Sequence, residues 1–142
     1  SMMISGALLM TTVSRRPFVL GLAMLPMLAF AVPAFAFDAK PYTADALASA
    51  QATGKPVLVE VFAPWCPTCR AQNSVLDKLA TEARFKDFIV LRVDFDSQKD
   101  EVRKLQARSQ STLIVFRGTQ ERGRVVGDAA EASLSALLAK AL

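Results

Sequence analysis

The chain of 142 residues has no histidine, only two cysteines, one tryptophan and one tyrosine, and six glycines. Each scarcity excludes something. Structural zinc wants four nitrogen or sulfur ligands, so without histidine or a second cysteine pair one chain cannot build such a site alone. Two cysteines cannot form a disulfide framework. The few glycines form no glycine-rich phosphate loop, and there is no internal repeat or low-complexity tract. Charge of one sign is also missing. The formal net charge is +4, but Arg15 and Arg16 are the only charged residues before Phe37, so the remainder carries 15 basic and 13 acidic side chains. A balance that close to neutral argues against a nucleic-acid surface.

What the chain does have is concentrated at Trp65-Cys66-Pro67-Thr68-Cys69, directly after the apolar run Val57 to Ala63. A strand that turns straight into a helix puts Cys66 at the helix N-terminus. Unsatisfied N–H groups and the positive end of the macrodipole there favour thiolate over thiol. Pro67 suits the first helical position, where its missing N–H is not needed. Cys69 falls almost one turn later on the same side, within reach of an intramolecular disulfide, so Cys66 is the expected nucleophile and Cys69 the resolving thiol. Two other uses of the pair stay open: a structural disulfide, although so short a loop constrains little unfolded-chain entropy, and a metal site completed by cysteines of a second chain.

Residues 1–36 read as an export signal. Arg15 and Arg16 make a positive n-region, 18–32 is apolar apart from Gly21 and Pro26, and Ala34-Phe35-Ala36 is a small-x-small cleavage site. The run Ser14-Arg15-Arg16-Pro17-Phe18-Val19-Leu20 is similar to a twin-arginine signal. An uncleaved membrane anchor is the alternative, since 18–37 is about long enough to span a bilayer. Residues 37–142 then form one domain with a modest core, placed in the periplasm, an oxidising compartment.

Within that domain the patterning predicts helices over 43–53, 70–84, 98–107 and 130–141. It predicts strands over 57–63, 88–95, 112–116 and 124–126, the last two joined through a polar turn around Gly118 and Gly123. The strand at 57–63 is too uniformly apolar to alternate and should lie centrally, buried on both faces. The fold class is α/β.

With the Trp-Cys-x-x-Cys motif at a strand-to-helix junction, a closing hairpin and a final helix, the chain resembles the thioredoxin superfamily across nearly all of 38–142. The local run Trp65 to Ala71 is similar to periplasmic thiol reductases of cytochrome c maturation. The resemblance implies a thioredoxin fold, a central mixed sheet flanked by helices, with no cofactor and no resident metal. It implies a monomeric thiol:disulfide oxidoreductase that reduces disulfide-containing exported proteins with electrons from a membrane dithiol donor. The oxidant or isomerase direction, and a metal- or cluster-binding module, are the alternatives.

The resemblance also assigns roles. Glu60, six residues before Cys66, stands where the family keeps a buried acid that takes the proton from the resolving thiol; outward exposure or pairing with Lys78 or Lys55 is the alternative. Trp65 resembles an aromatic shield beside the nucleophile, with plain core packing as its alternative, and Pro67 lies between the sulfurs. Gly127 resembles the glycine that lets a partner backbone approach, or simply ends a strand. Ser111 departs from the family, which carries a cis-proline just before the third main strand. A non-proline cis bond costs about 2.5–4 kcal/mol, so a trans peptide is expected. That changes how Gln110 presents its backbone to a substrate strand, and lets the Ser111 hydroxyl bond the Cys66 thiolate instead.

Overall fold

The computed structural model describes residues 36–142 together with 3, 6, 13 and 14. Arg15, Arg16 and the apolar run of the expected export signal lie outside the described residues. Everything below concerns the unit Pro33–Leu142. Among the described residues no helix is long and apolar enough to cross a membrane.

Ten short elements follow one another: β1 (Ala39–Pro41), α1 (Ala44–Ala52), β2 (Pro56–Phe62), α2 (Pro67–Leu79), a 3₁₀ turn (Ala83–Phe85), β3 (Ile89–Asp94), α3 (Lys99–Lys104), β4 (Thr112–Arg117), β5 (Gln120–Val126) and α4 (Glu131–Ala139). The strands form one sheet in the order β1-β3-β2-β4-β5. β2 runs parallel to β3 and antiparallel to β4, and β4 pairs antiparallel with β5. The sheet is therefore mixed and flanked by helices, as expected, with β2 at its centre.

The central position explains the composition of β2. Leu58 faces the α2 and α4 side, packed with Leu76, Leu79, Phe85, Leu113, Leu134 and Leu138. Val57, Val59 and Val61 face the other side, against Tyr42, Ala50, Leu91, Val93, Val102 and Ile114. A strand covered on both faces has no solvent side on which to place polar residues. Glu60 is thus a charged residue in a position built for an aliphatic one.

Four local differences from the sequence reading have plain causes. β1 was not anticipated: three residues are too few to show a period, and this strand exists only by pairing parallel with β3. The helix after the cysteines ends at Leu79, and its expected last turn is the separate 3₁₀ turn. α3 is shorter than expected, because the backbone turns left-handed at Gln106 (φ 55°). Gly123 is inside β5 rather than in the turn. It pairs with Val115 beside a register shift, and a Cβ there would come within 3.1 Å of Leu137 Cδ1 and Lys140 Cδ, so glycine lets α4 approach the strand.

Candidate active site at the start of α2

The site begins with the end of β2. After Phe62 the chain turns and enters α2 with Cys66 as N-cap and Pro67 at the first turn. Extended backbone at Cys66 (φ −85°, ψ 112°) aims its sulfur back over the helix end, where the Cys69 N–H donates to Cys66 Sγ at 3.0 Å. A cysteine thus occupies the capping role usually held by serine or aspartate. The geometry stabilises negative charge on that sulfur, through one aimed N–H and through the helix dipole. Cys66 and Cys69 form a disulfide with Cα atoms 5.3 Å apart, and both are buried at 2% exposure.

Around the sulfurs the expected residues take distinct places. Trp65 is 55% exposed, edge-on to Phe95, with its Nε1 donating to Asp96 Oδ2 at 2.8 Å. It flanks the nucleophile on the surface and is no part of the core. Asp96 is itself placed by the turn after β3, where Asp94 Oδ1 accepts from the N–H groups of Asp96 and Ser97. Those backbone bonds, Ser97 foremost, hold the Asp94 carboxyl below its ordinary value. Pro67 is exposed beside the disulfide, and Gln110 is half-buried.

Ser111 is buried at 4% with a trans peptide and a left-handed backbone, φ 63°. That conformation costs a non-glycine residue about 1–3 kcal/mol and needs strong fixing by its surroundings. The fixing is visible. Ser111 N–H donates to Val61 O at 2.9 Å, and Ser111 O accepts from Gly127 N–H at 3.0 Å and from Gln72 Nε2 at 3.0 Å. Its Oγ then stands 3.2 Å from Cys66 Sγ and 3.4 Å from Cys69 Sγ. Gly127, with φ 70°, follows the last residue of β5 and supplies one of those bonds.

Glu60 is buried at 4% on the α2 side of β2. Its partner is Arg92 of β3, aligned with it in the strand register, at 3.2 Å; Lys78 pairs with Glu131 instead. The Asn73 amide bridges the two when oriented by its neighbours, its nitrogen donating to Glu60 Oε2 at 3.0 Å and its oxygen accepting from Arg92 at 2.9 Å. Asn73 lies one turn after Cys69, so the carboxyl sits under the resolving cysteine's face of α2. Burial raises the Glu60 pKa above its ordinary 4.5, and Arg92 opposes that rise only in part. A buried carboxyl with a raised pKa holds a proton more readily than an exposed one.

Sequence reasoning missed Arg92, Asn73 and Gln72. Gln72 left a signal that went unread: it shares a helix face with Cys69, Leu76 and Leu79, and a polar residue on a core stripe calls for a buried partner.

Comparison with known proteins places this geometry. The family model described as Thioredoxin matches residues 40–140. The thioredoxin of Mycobacterium bovis is 38% identical over 93 residues, covering 66% of this chain and 76% of that protein. Thioredoxin 1 of a Nostoc species is 37% identical over 87 residues, covering 61% and 80%. Among solved structures, Trxlp from Edwardsiella tarda is similar with a TM-score of 0.66 and 41% identity, covering 69% of this chain and 95% of that one.

Proposed function

The chain belongs to the thioredoxin family and is a thiol:disulfide oxidoreductase with a Cys-x-x-Cys pair, and from that premise we propose that it is exported to the periplasm and there reduces disulfides in exported proteins. The observation that supports this reading best is the Cys66 sulfur capping α2 and accepting the Cys69 N–H, which prepares a nucleophilic thiolate. Export rests on the pattern of residues 1–36.

In the reducing direction the Cys66 thiolate attacks one sulfur of a substrate disulfide. A Cys66–substrate bond forms, the substrate S–S bond breaks, and the departing thiolate takes a proton. Cys69 then gives its proton to the Glu60 carboxylate or to water and attacks Cys66 Sγ. The Cys66–Cys69 bond forms as the second substrate thiolate leaves, so two electrons have passed to the substrate. A membrane dithiol restores the pair by the reverse exchange. The reductase direction, and the likeness to thiol reductases of cytochrome c maturation, rest on the run Trp65 to Ala71.

The reduction potential of the full chain, equilibrated against glutathione and dithiothreitol, tests the direction. A value toward the thioredoxin end, roughly −270 mV, supports the reductase, whereas one near roughly −120 mV makes the protein an oxidant. Cys69→Ser, expressed in the parent cell, is expected to trap exported proteins as mixed disulfides on Cys66. Recovery of none would turn the reading toward simple binding. Sequencing the N-terminus of the cell-derived protein tests export, with Phe37 as the expected first residue.

A further inference from the structure

The Ser111 residue is buried, and among the described residues the only hydrogen-bond partners of its hydroxyl are the two sulfurs. Disulfide sulfurs are weak acceptors, so in this oxidised state the proton of a buried hydroxyl has no strong partner. That deficit disappears once a sulfur carries charge. The arrangement is also held on purpose-built support: Gln72, buried at 2%, donates through one amide nitrogen to Ser111 O at 3.0 Å and Asp128 O at 2.9 Å. It ties the entry of β4 to the turn after β5 and keeps the backbone at position 111 left-handed.

We propose that Ser111 is a catalytic hydrogen-bond donor shared by the two sulfurs, that Gln72 is the positioning residue that aims it, and that together they favour the reduced pair, making this site a weaker reductant than it would be without the hydroxyl. The inference rests on the exchange chemistry of the same site, whichever its physiological direction.

Both distances have a use during exchange with an external thiol. An external thiolate attacks Cys66 Sγ, the bond to Cys69 breaks, and its electron pair goes to Cys69 Sγ, 3.4 Å from the hydroxyl. A second external thiolate attacks the external sulfur of the mixed disulfide. It leaves as the oxidised external disulfide, and the electron pair stays on Cys66 Sγ, 3.2 Å from the same hydroxyl. Two electrons have entered the pair, Cys69 takes one proton and Cys66 remains a thiolate. One donor therefore serves each charged leaving group in turn. Charge-assisted hydrogen bonds are about twice as strong as neutral ones, and a bond gained only on reduction stabilises only the reduced form. The potential rises and the Cys66 thiol becomes more acidic.

The test uses the full chain, with two readouts: its equilibrium with glutathione, and the pH profile of Cys66 alkylation. Ser111→Ala is expected to shift the equilibrium about tenfold toward the disulfide, about 30 mV more negative, and to move the alkylation profile to higher pH. Ser111→Gly accepts the left-handed backbone without strain and also lacks the hydroxyl, so it should shift both readouts alike. Gln72→Met keeps the volume but not the donor, and should shift both the same way by less. Wild-type values in Ser111→Ala overturn the proposal, as does a shift in Ser111→Ala that Ser111→Gly lacks, since backbone strain would then be the cause. A Gln72→Met protein that melts earlier at unchanged potential removes Gln72 from it. If the wild-type pair equilibrates with neither glutathione nor dithiothreitol, the exchange reading of the site fails before any variant is compared.

Discussion

Glu60 is buried, as the family resemblance implies, and takes its partner from another strand. The resemblance, not the spacing alone, marks it as an acid beneath the dithiol; Lys78 pairs with Glu131 instead, and strand register brings Arg92 alongside. Because burial raises its pKa, the folded protein binds a proton that the unfolded chain has lost in the interval above 4.5. The stability linked to that proton is complete below the unfolded value and is lost as pH rises through the folded one. Glu60→Gln removes the titration, so its denaturation midpoint should change less than the wild type's as pH rises above 4.5, in urea titrations at a series of pH values. Resolution of the mixed disulfide by Cys69 should slow about a hundredfold in the same variant and lose its dependence on that group. An unchanged resolution rate would leave Glu60 a structural partner of Arg92.

At the scale of elements, local rules account for most of what forms. Thr43 caps α1 through a hydrogen bond from Ala46 N–H, Pro67 opens α2, and the β4–β5 hairpin follows its sequence pattern. The exceptions depend on neighbours. β1 is held by β3, and Gly123 is required because α4 crosses close to β5. Gly123→Val should therefore press on Leu137 and Lys140, costing about 1–3 kcal/mol by overpacking. For a domain of this size each 1 kcal/mol lowers the melting temperature by roughly 4–8 °C. Thermal melting checks this, with the glutathione equilibrium expected at the wild-type value, since the substitution lies beside α4 and away from the sulfurs.

For the whole molecule, redox state and folding are linked. If the Ser111 hydroxyl bonds a thiolate but finds only weak acceptors in the disulfide, removing it should weaken the reduced protein more than the oxidised one. Ser111→Ala is expected to lower the unfolding free energy of the reduced form clearly while leaving that of the oxidised form within a few tenths of a kcal/mol in denaturant titrations, by the same linkage that makes any state-specific interaction a stability difference. Equal losses in both forms would assign the hydroxyl to packing.

The order of elements from α1 onward, the burial of β2 and the placing of a reactive thiol at a helix start were legible in the sequence, because each follows from hydrophobic period, capping residues and spacing within a few residues. What the tertiary structure alone decided are the contacts across long stretches of chain. The Ser111 hydroxyl, which the family resemblance directs to Cys66, also reaches Cys69 42 residues away, Arg92 reaches Glu60 across 32, and Gln72 reaches Asp128 across 56. No local period encodes those distances, since they arise where β4 enters the sheet beside β2 and where β3 pairs with it. The sequence by itself determined that two cysteines would sit ready to exchange electrons; the packing of the sheet decided which groups would hold the charge they exchange.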